Sequence, residues 1–157
     1  MAIEIVRDYL KQYGLADSVI ELKQSSATVE LAAQALHTQP ERIAKTLSFM
    51  GSDGAILVVC AGDCKIDNHA FKVEFGVKAK MLKPEEVEQY TNHQIGGVCP
   101  FAVPETTKIY LDESMKRFET IFPACGSSNS AIELTMVQLE ETIPFVKWVD
   151  VCKGWKE

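Results

Sequence analysis

A single lysine, Lys45, interrupts the otherwise apolar or weakly polar stretch "IAKTLSFM" at residues 43–50. Read as a strand, its side chains alternate between two faces. Ile43, Lys45, Leu47 and Phe49 share one, and Ala44, Thr46, Ser48 and Met50 the other. A cation on an apolar face costs free energy unless its ammonium reaches water, an anion or a ligand. Two readings follow. The four-carbon stem covers apolar surface while the head reaches solvent, or the ammonium waits for an anionic group of a substrate.

Two further stretches could do chemistry. In "IGGVCPF", residues 95–101, Gly96 and Gly97 free the backbone for close approach and for unusual φ values. Their amides could face an anion or a developing oxyanion. The competing reading is a bulge or a corner in a curved sheet. In "CGSSNSAIEL", residues 125–134, Gly126, Ser127, Ser128, Asn129 and Ser130 form a small polar loop before an apolar run. It offers hydroxyls, an amide and several N–H groups to a phosphate, a ribose or a carbonyl oxygen. The same residue types also dominate ordinary turns.

Other chemistries are poorly represented. The cysteines at 60, 64, 99, 125 and 152 are odd in number and contain no C-x-x-C, so reduced thiols are expected. Cys99 and Cys125 flank the two loops, yet cysteine more often serves as a small buried hydrophobe. His37, His69 and His93 are scattered and give no metal-binding spacing, so no zinc site is expected. His93 lies close to the glycine pair and reads as a surface residue at a helix end. No Ser-His-Asp order and no carboxylate pair stands out.

The totals set bounds. The formal net charge of -6 argues against a protein that coats long nucleic acid, while leaving room for a small basic pocket. No signal peptide and no membrane-spanning apolar window is visible, so a cytoplasmic protein with no membrane partner is expected. The length suits one domain over 1–157.

The elements that must position these stretches read as follows. "IEIVRDYLKQYG" is an amphipathic helix stopped by Gly14. "SVIEL" is a strand and "TVELAAQALH" a second helix. Thr38 and Glu41 form a capping-box pattern around Pro40. "IAKTLSFM", "GSDG" and "AILVVCAG" make a hairpin signal. "DNHAFKVEFG" is a helix capped by Asp67, "KAKML" a short strand, and "KPEEVEQYT" a helix. "QIGGVCPFAVP", "TKIYLD", "FETIFPACG", "SAIEL" and "FVKWVDV" read as strands. Thr135 and Gln138 open the helix "MVQLEE". The sum is an α+β domain around a mixed, curled or barrel-like sheet surrounded by helices. No G-x-G-x-x-G or Walker lysine is present.

Taken in order, "IAKTL" with its hairpin, "GGVCPF" and "GSSNSAIEL" resemble the YbaK family of aminoacyl-tRNA deacylases. These are relatives of the editing domain inserted into bacterial prolyl-tRNA synthetases. The resemblance runs from about Ser25 to Leu139. It implies a free-standing enzyme that hydrolyses the ester between a wrong amino acid and the 3′ end of a tRNA, without a cofactor or metal. It implies mischarged tRNA, gripped at its acceptor end, as the partner, with an aminoacyl-tRNA synthetase as a second. The family's key lysine falls on Lys45, beside Thr46. The glycine loop falls on Gly96 and Gly97, and the Gly-Ser loop on Gly126 to Ser130. In the cysteinyl-tRNA branch an Asp precedes "IEL". Here that position is Ala131, so another small amino acid is as good a candidate as cysteine.

The implied chemistry is undemanding. An aminoacyl ester is already activated, and hydrolysis needs a positioned water and oxyanion stabilisation, with one good donor contributing on the order of 3 kcal/mol. The Gly97 N–H is the expected donor and Lys45 the expected grip on the terminal phosphate or the ester region. No strong general base is visible, which leaves the ribose hydroxyl or the substrate amine to assist the water. Two other classes compete. One is a non-catalytic module that binds a tRNA end or a nucleotide. The other is a thiol-dependent redox protein, which the missing C-x-x-C disfavours.

Overall fold

The computed structural model describes residues 2–155. In chain order the elements are α1 (Ala2–Lys11), β1 (Ile20–Glu21), α2 (Val29–Ala35), β2 (Ile43–Gly51), β3 (Gly54–Ala61), β4 (Lys65–Ile66), α3 (Asn68–Phe75), α4 (Pro84–Thr91), β5 (Lys108–Asp112), β6 (Thr120–Pro123), β7 (Ser130–Ala131), β8 (Leu134–Thr135), α5 (Met136–Thr142), β9 (Phe145–Val149) and β10 (Cys152–Lys153). The main sheet has the order β8-β6-β2-β3-β5-β9 and curls into a half-barrel. It is mixed. β2 is antiparallel to β3 and parallel to β6, and β5 is parallel to both β3 and β9. The expected α+β class with a curled mixed sheet is the observed one.

Local chemistry explains most boundaries. The β2–β3 hairpin closes through Ser52 and Asp53, with Gly51 opposite Gly54 and Gly54 at φ +128°. Glycine adopts that φ without strain, and the two loop residues themselves keep negative φ. Asp67 caps α3 by accepting the Ala70 N–H at 3.0 Å. Phe71 of α3 then packs at a tilt against Phe49 of β2, with ring centroids 4.8 Å apart, and Phe75 stands edge-on to Tyr110 of β5 at 4.8 Å. A fully buried side chain such as Phe71 contributes about 1.5–3 kcal/mol, so these aromatics fix α3 to the sheet. The expected capping box of α5 is present. Thr135 Oγ1 accepts from Gln138 N at 3.1 Å, and Thr135 N donates back to Gln138 Oε1 at 2.9 Å.

Several expectations are corrected. The Thr38–Glu41 capping box does not form. Pro40–Arg42 is a single 3-10 turn entered from Gln39, with no side-chain cap, too short to need one. "KAKML" is no strand, and only Met81 bridges Phe49. "QIGGVCPFAVP" contains no strand, because its glycines and prolines take turn and loop conformations. "SAIEL" splits into β7 and β8, which pair with β1 and β6 respectively. β2 does not alternate in burial. Ile43 and Ala44 are both buried, as are Ser48 and Phe49, because both faces are covered. Ile43 packs with Ala32, Ala33 and Phe122, while Ala44 and Phe49 join the main core.

Candidate active site at a gap in the β2 edge

The outer edge of β2 is covered at both ends and open in the middle. β6 pairs with Ile43 and Ala44 and stops there. At the other end, Met50 N donates to Lys80 O at 2.9 Å and Leu82 N donates to Ser48 O at 3.1 Å. Between these contacts, Lys45, Thr46 and Leu47 floor a cleft of about 410 Å³. Its walls are largely apolar and include Val29, Leu82, Val87, Val98 and Phe122. Its polar lining comes from Ser26, Thr28, Thr46, Ser48 and Ser130. Lys45 is the one charged residue lining it among the described residues.

Lys45 is half-buried. Its ammonium donates to the Cys64 carbonyl in the turn after β3, which leaves further donor capacity on a group with three N–H bonds. The turn itself is held from outside. Arg117 forks onto the Asp63 carboxylate, Nη1 to Oδ2 at 3.0 Å and Nη2 to Oδ1 at 2.7 Å. Hydrogen bonding to that guanidinium, ahead of its charge, holds the Asp63 carboxyl below its ordinary range. The lysine therefore rests on a backbone carbonyl whose turn is braced by a bidentate ion pair.

The two glycines are needed for different reasons. Gly97 N donates to Gln94 O at 3.0 Å and Gly96 sits at φ +92°, as the third residue of a type II turn requires. Gly97 lies against the other loop. A Cβ there would come within 2.8 Å of Gly126 C and of Ser127 N. The expected role of the Gly97 N–H thus meets an obstacle, since that N–H is already committed to Gln94. Gly97 contributes by letting two loops touch.

The Gly-Ser loop is bonded largely to itself and to the segment before α2. Ser127 Oγ lies 2.9 Å from Asn129 Oδ1 and 2.7 Å from Ser130 Oγ. Asn129 Nδ2 donates to Leu22 O at 3.0 Å, and Ser26 N donates to Ser128 O at 2.6 Å. Of the positions singled out in the sequence, Lys45, Thr46, Gly96 and Ser130 line the cleft. Gly97, Gly126, Ser127, Ser128 and Asn129 are not among its lining residues, and Ser128 is exposed.

Sequence reasoning missed the burial of His93. His93 is fully buried rather than at the surface. Its Nε2 lies 2.7 Å from Phe101 O and 3.3 Å from Cys99 Sγ. Burial lowers its pKa. Burial pushes the Cys99 thiol up to about 12. His93 and Cys99 thus fasten the two ends of the 93–101 segment to each other, around the glycine turn. All five cysteines are free and buried, and the described residues contain no metal-binding cluster.

The curled mixed sheet thus carries an apolar cleft at an open strand edge, with one lysine in its lining. Residues 23–142 match the model of the aminoacyl-tRNA editing domain, and the chain belongs to that family. YwhH of Bacillus subtilis (strain 168) is 51% identical over 157 residues, covering 99% of this chain and 100% of that protein. The proline–tRNA ligase of Geobacillus sp. (strain WCH70) is 26% identical over 125 residues, covering 79% of this chain. The matched part is only 22% of that ligase. Among solved structures, one described as a candidate trans-editing enzyme for prolyl tRNA synthetase superposes with a TM-score of 0.88 at 28% identity, covering 98% of each chain. Another, of protein APE2540, superposes with a TM-score of 0.83 at 26% identity, covering 94% of this chain and 99% of that one.

Proposed function

We propose that this chain is a trans-acting deacylase that hydrolyses the ester of mischarged tRNA, acting as one editing domain in the cytoplasm. The observation that carries the reading is the cleft. It is the size of a small-ligand site, within about 300–1,000 Å³, and holds one cation in a mainly apolar wall. That shape suits the acceptor end of a tRNA carrying a small amino acid. The net charge of -6 supports contact with that end alone. A tRNA synthetase is the natural source of the substrate.

In this reading water adds its oxygen to the acyl carbon, and the carbonyl π pair moves to oxygen. The tetrahedral oxyanion collapses, re-forms C=O and expels the ribose 3′ oxygen. That oxygen takes the proton lost by water, relayed through the vicinal 2′ hydroxyl, and a free amino acid and an uncharged tRNA result. The cleft lining offers no carboxylate or imidazole as a base, which favours the substrate's own hydroxyl in that role. Lys45 steadies the phosphate or the developing charge. The apolar wall sorts amino acids by size, at about 1–3 kcal/mol per methylene, so two homologous substrates are accepted.

The test is a panel of tRNAs each mischarged with a different small amino acid, with release of the amino acid measured under enzyme turnover. Hydrolysis of one or two members, and its loss with a 2′-deoxy terminal adenosine, is the expected result. Binding of charged tRNA with no release would turn the reading to a non-catalytic module.

A further inference from the structure

The gap in the β2 edge has a hydrogen-bonding pattern of its own. In the β2–β3 hairpin Gly51 faces Gly54 across a two-residue loop, so Gly51, Phe49, Leu47 and Lys45 exchange backbone bonds with β3. The intervening residues turn their N–H and C=O to the other edge. The bonds at Met50 N and Ser48 O show this. Thr46 belongs to that outward set. β6 stops before it at Ala44, and the 80–82 segment begins after it at Ser48. Among the described residues nothing bonds to the Thr46 N–H or C=O, and Thr46 lines the cleft. A backbone donor and acceptor on a single residue therefore face a cavity with no strand opposite.

We propose that the aminoacyl group docks there as one residue of an added antiparallel strand. This inference rests on the deacylase reading above. An aminoacyl ester carries its α-ammonium and its carbonyl on either side of one α carbon, as a peptide residue does. In a hydrogen-bonded antiparallel pair the two residues exchange both bonds. The Thr46 C=O accepts from the α-ammonium, and the Thr46 N–H donates to the ester carbonyl oxygen. As water adds and the π pair moves to that oxygen, the same N–H meets a full negative charge and its bond strengthens. Thr46 thereby takes the donor role that Gly97 cannot fill while bonded to Gln94. Opposed residues of such a pair project side chains to one face, so the amino acid side chain lies alongside that of Thr46. A substrate lacking the ammonium, such as an α-hydroxyacyl ester, loses one of the two bonds.

Two measurements test this on the whole chain. In amide hydrogen exchange the free protein should exchange Thr46 faster than Lys45 and Leu47, whose N–H groups lie in the β3 ladder. Saturation with 3′-deoxy-3′-(alanylamino)adenosine, a stable amide mimic of the charged end, should slow Thr46 exchange at least about 10-fold. Thr46→Pro removes the one N–H at a place where no ladder bond is lost. It should lower kcat about 100-fold or more with a smaller change in KM, the fold being followed by circular dichroism. If mischarged tRNA is hydrolysed while Thr46 stays unprotected, or is already slow in the free protein, the strand-like docking is wrong and the deacylase reading stands. If no mischarged tRNA is hydrolysed, both fall.

Discussion

Gly97 lies against Gly126 so closely that a Cβ on Gly97 would stand 2.8 Å from the Gly126 carbonyl carbon. The neighbour is backbone and cannot rotate away. Gly97→Ala should therefore push the two loops apart, costing about 1–3 kcal/mol of stability as overpacking does, and should reduce turnover further than stability alone explains. Gly96→Ala meets its nearest neighbours only at 3.6 Å and 3.7 Å. Its cost is the strain of φ +92°, on the order of 1 kcal/mol. Denaturation midpoints and initial rates for the two variants check the contrast.

The Arg117–Asp63 fork and the Lys45–Cys64 bond share one turn. Asp63→Asn and Arg117→Met, combined in a double-mutant cycle, should give a coupling of about 0.5–1 kcal/mol, the scale of a partly exposed pair. Because the folded Asp63 carboxyl lies below its ordinary value, its contribution is complete above about pH 4 and is lost as pH falls through the lower folded value. Both single variants should also slow hydrolysis, since the carbonyl that holds Lys45 loosens. Stability curves at pH 3 and pH 6, with rates at neutral pH, test both parts.

His93 should give the protein a second pH slope. Its folded pKa is lowered by burial, so the unfolded chain binds a proton more readily. Stability is complete above about 6.5 and declines as pH falls from there toward the lower folded value. His93→Gln should flatten that slope. Urea midpoints between pH 7.5 and pH 5 measure it, and an unchanged slope in the variant would show that other groups produce it.

The five cysteines are buried. Thiol–thiol hydrogen bonding and then burial raise Cys64 and Cys152, burial raises Cys99, and burial together with the nearby Cys99 raises Cys125. An alkylating reagent at pH 8 should label the native protein far more slowly than the unfolded chain. A variant with all five replaced by Ala or Ser should still turn over if it folds. Loss of activity in a folded variant would revive the thiol-dependent reading.

Local signals were readable where chain-local physics decides the outcome. The β2–β3 hairpin, the Asp67 cap and the Thr135–Gln138 box all follow from neighbours within a few residues. Of the candidate site, the sequence marked three stretches, and Lys45, Thr46, Gly96 and Ser130 from them line one cleft. What stayed hidden depends on long-range placement. That β6 would stop at Ala44 and leave Thr46 open cannot be seen in either strand alone. The burial of His93 depends on residues 93–101 folding back so that its ring meets the Phe101 carbonyl and the Cys99 thiol. "SAIEL" splits because its two ends meet different strands, and "QIGGVCPFAVP" stays a loop because its turn residues outweigh its apolar ones.

The most direct test of the account compares the wild type with Lys45→Ala on a panel of mischarged tRNAs. The account predicts that the wild type releases one or two small amino acids and that the variant, folded and still binding tRNA, does so about 100-fold more slowly or worse. Hydrolysis within about 3-fold of wild type in the variant would contradict the placement of the site at Lys45. A wild type that binds charged tRNA and releases nothing would contradict the account itself.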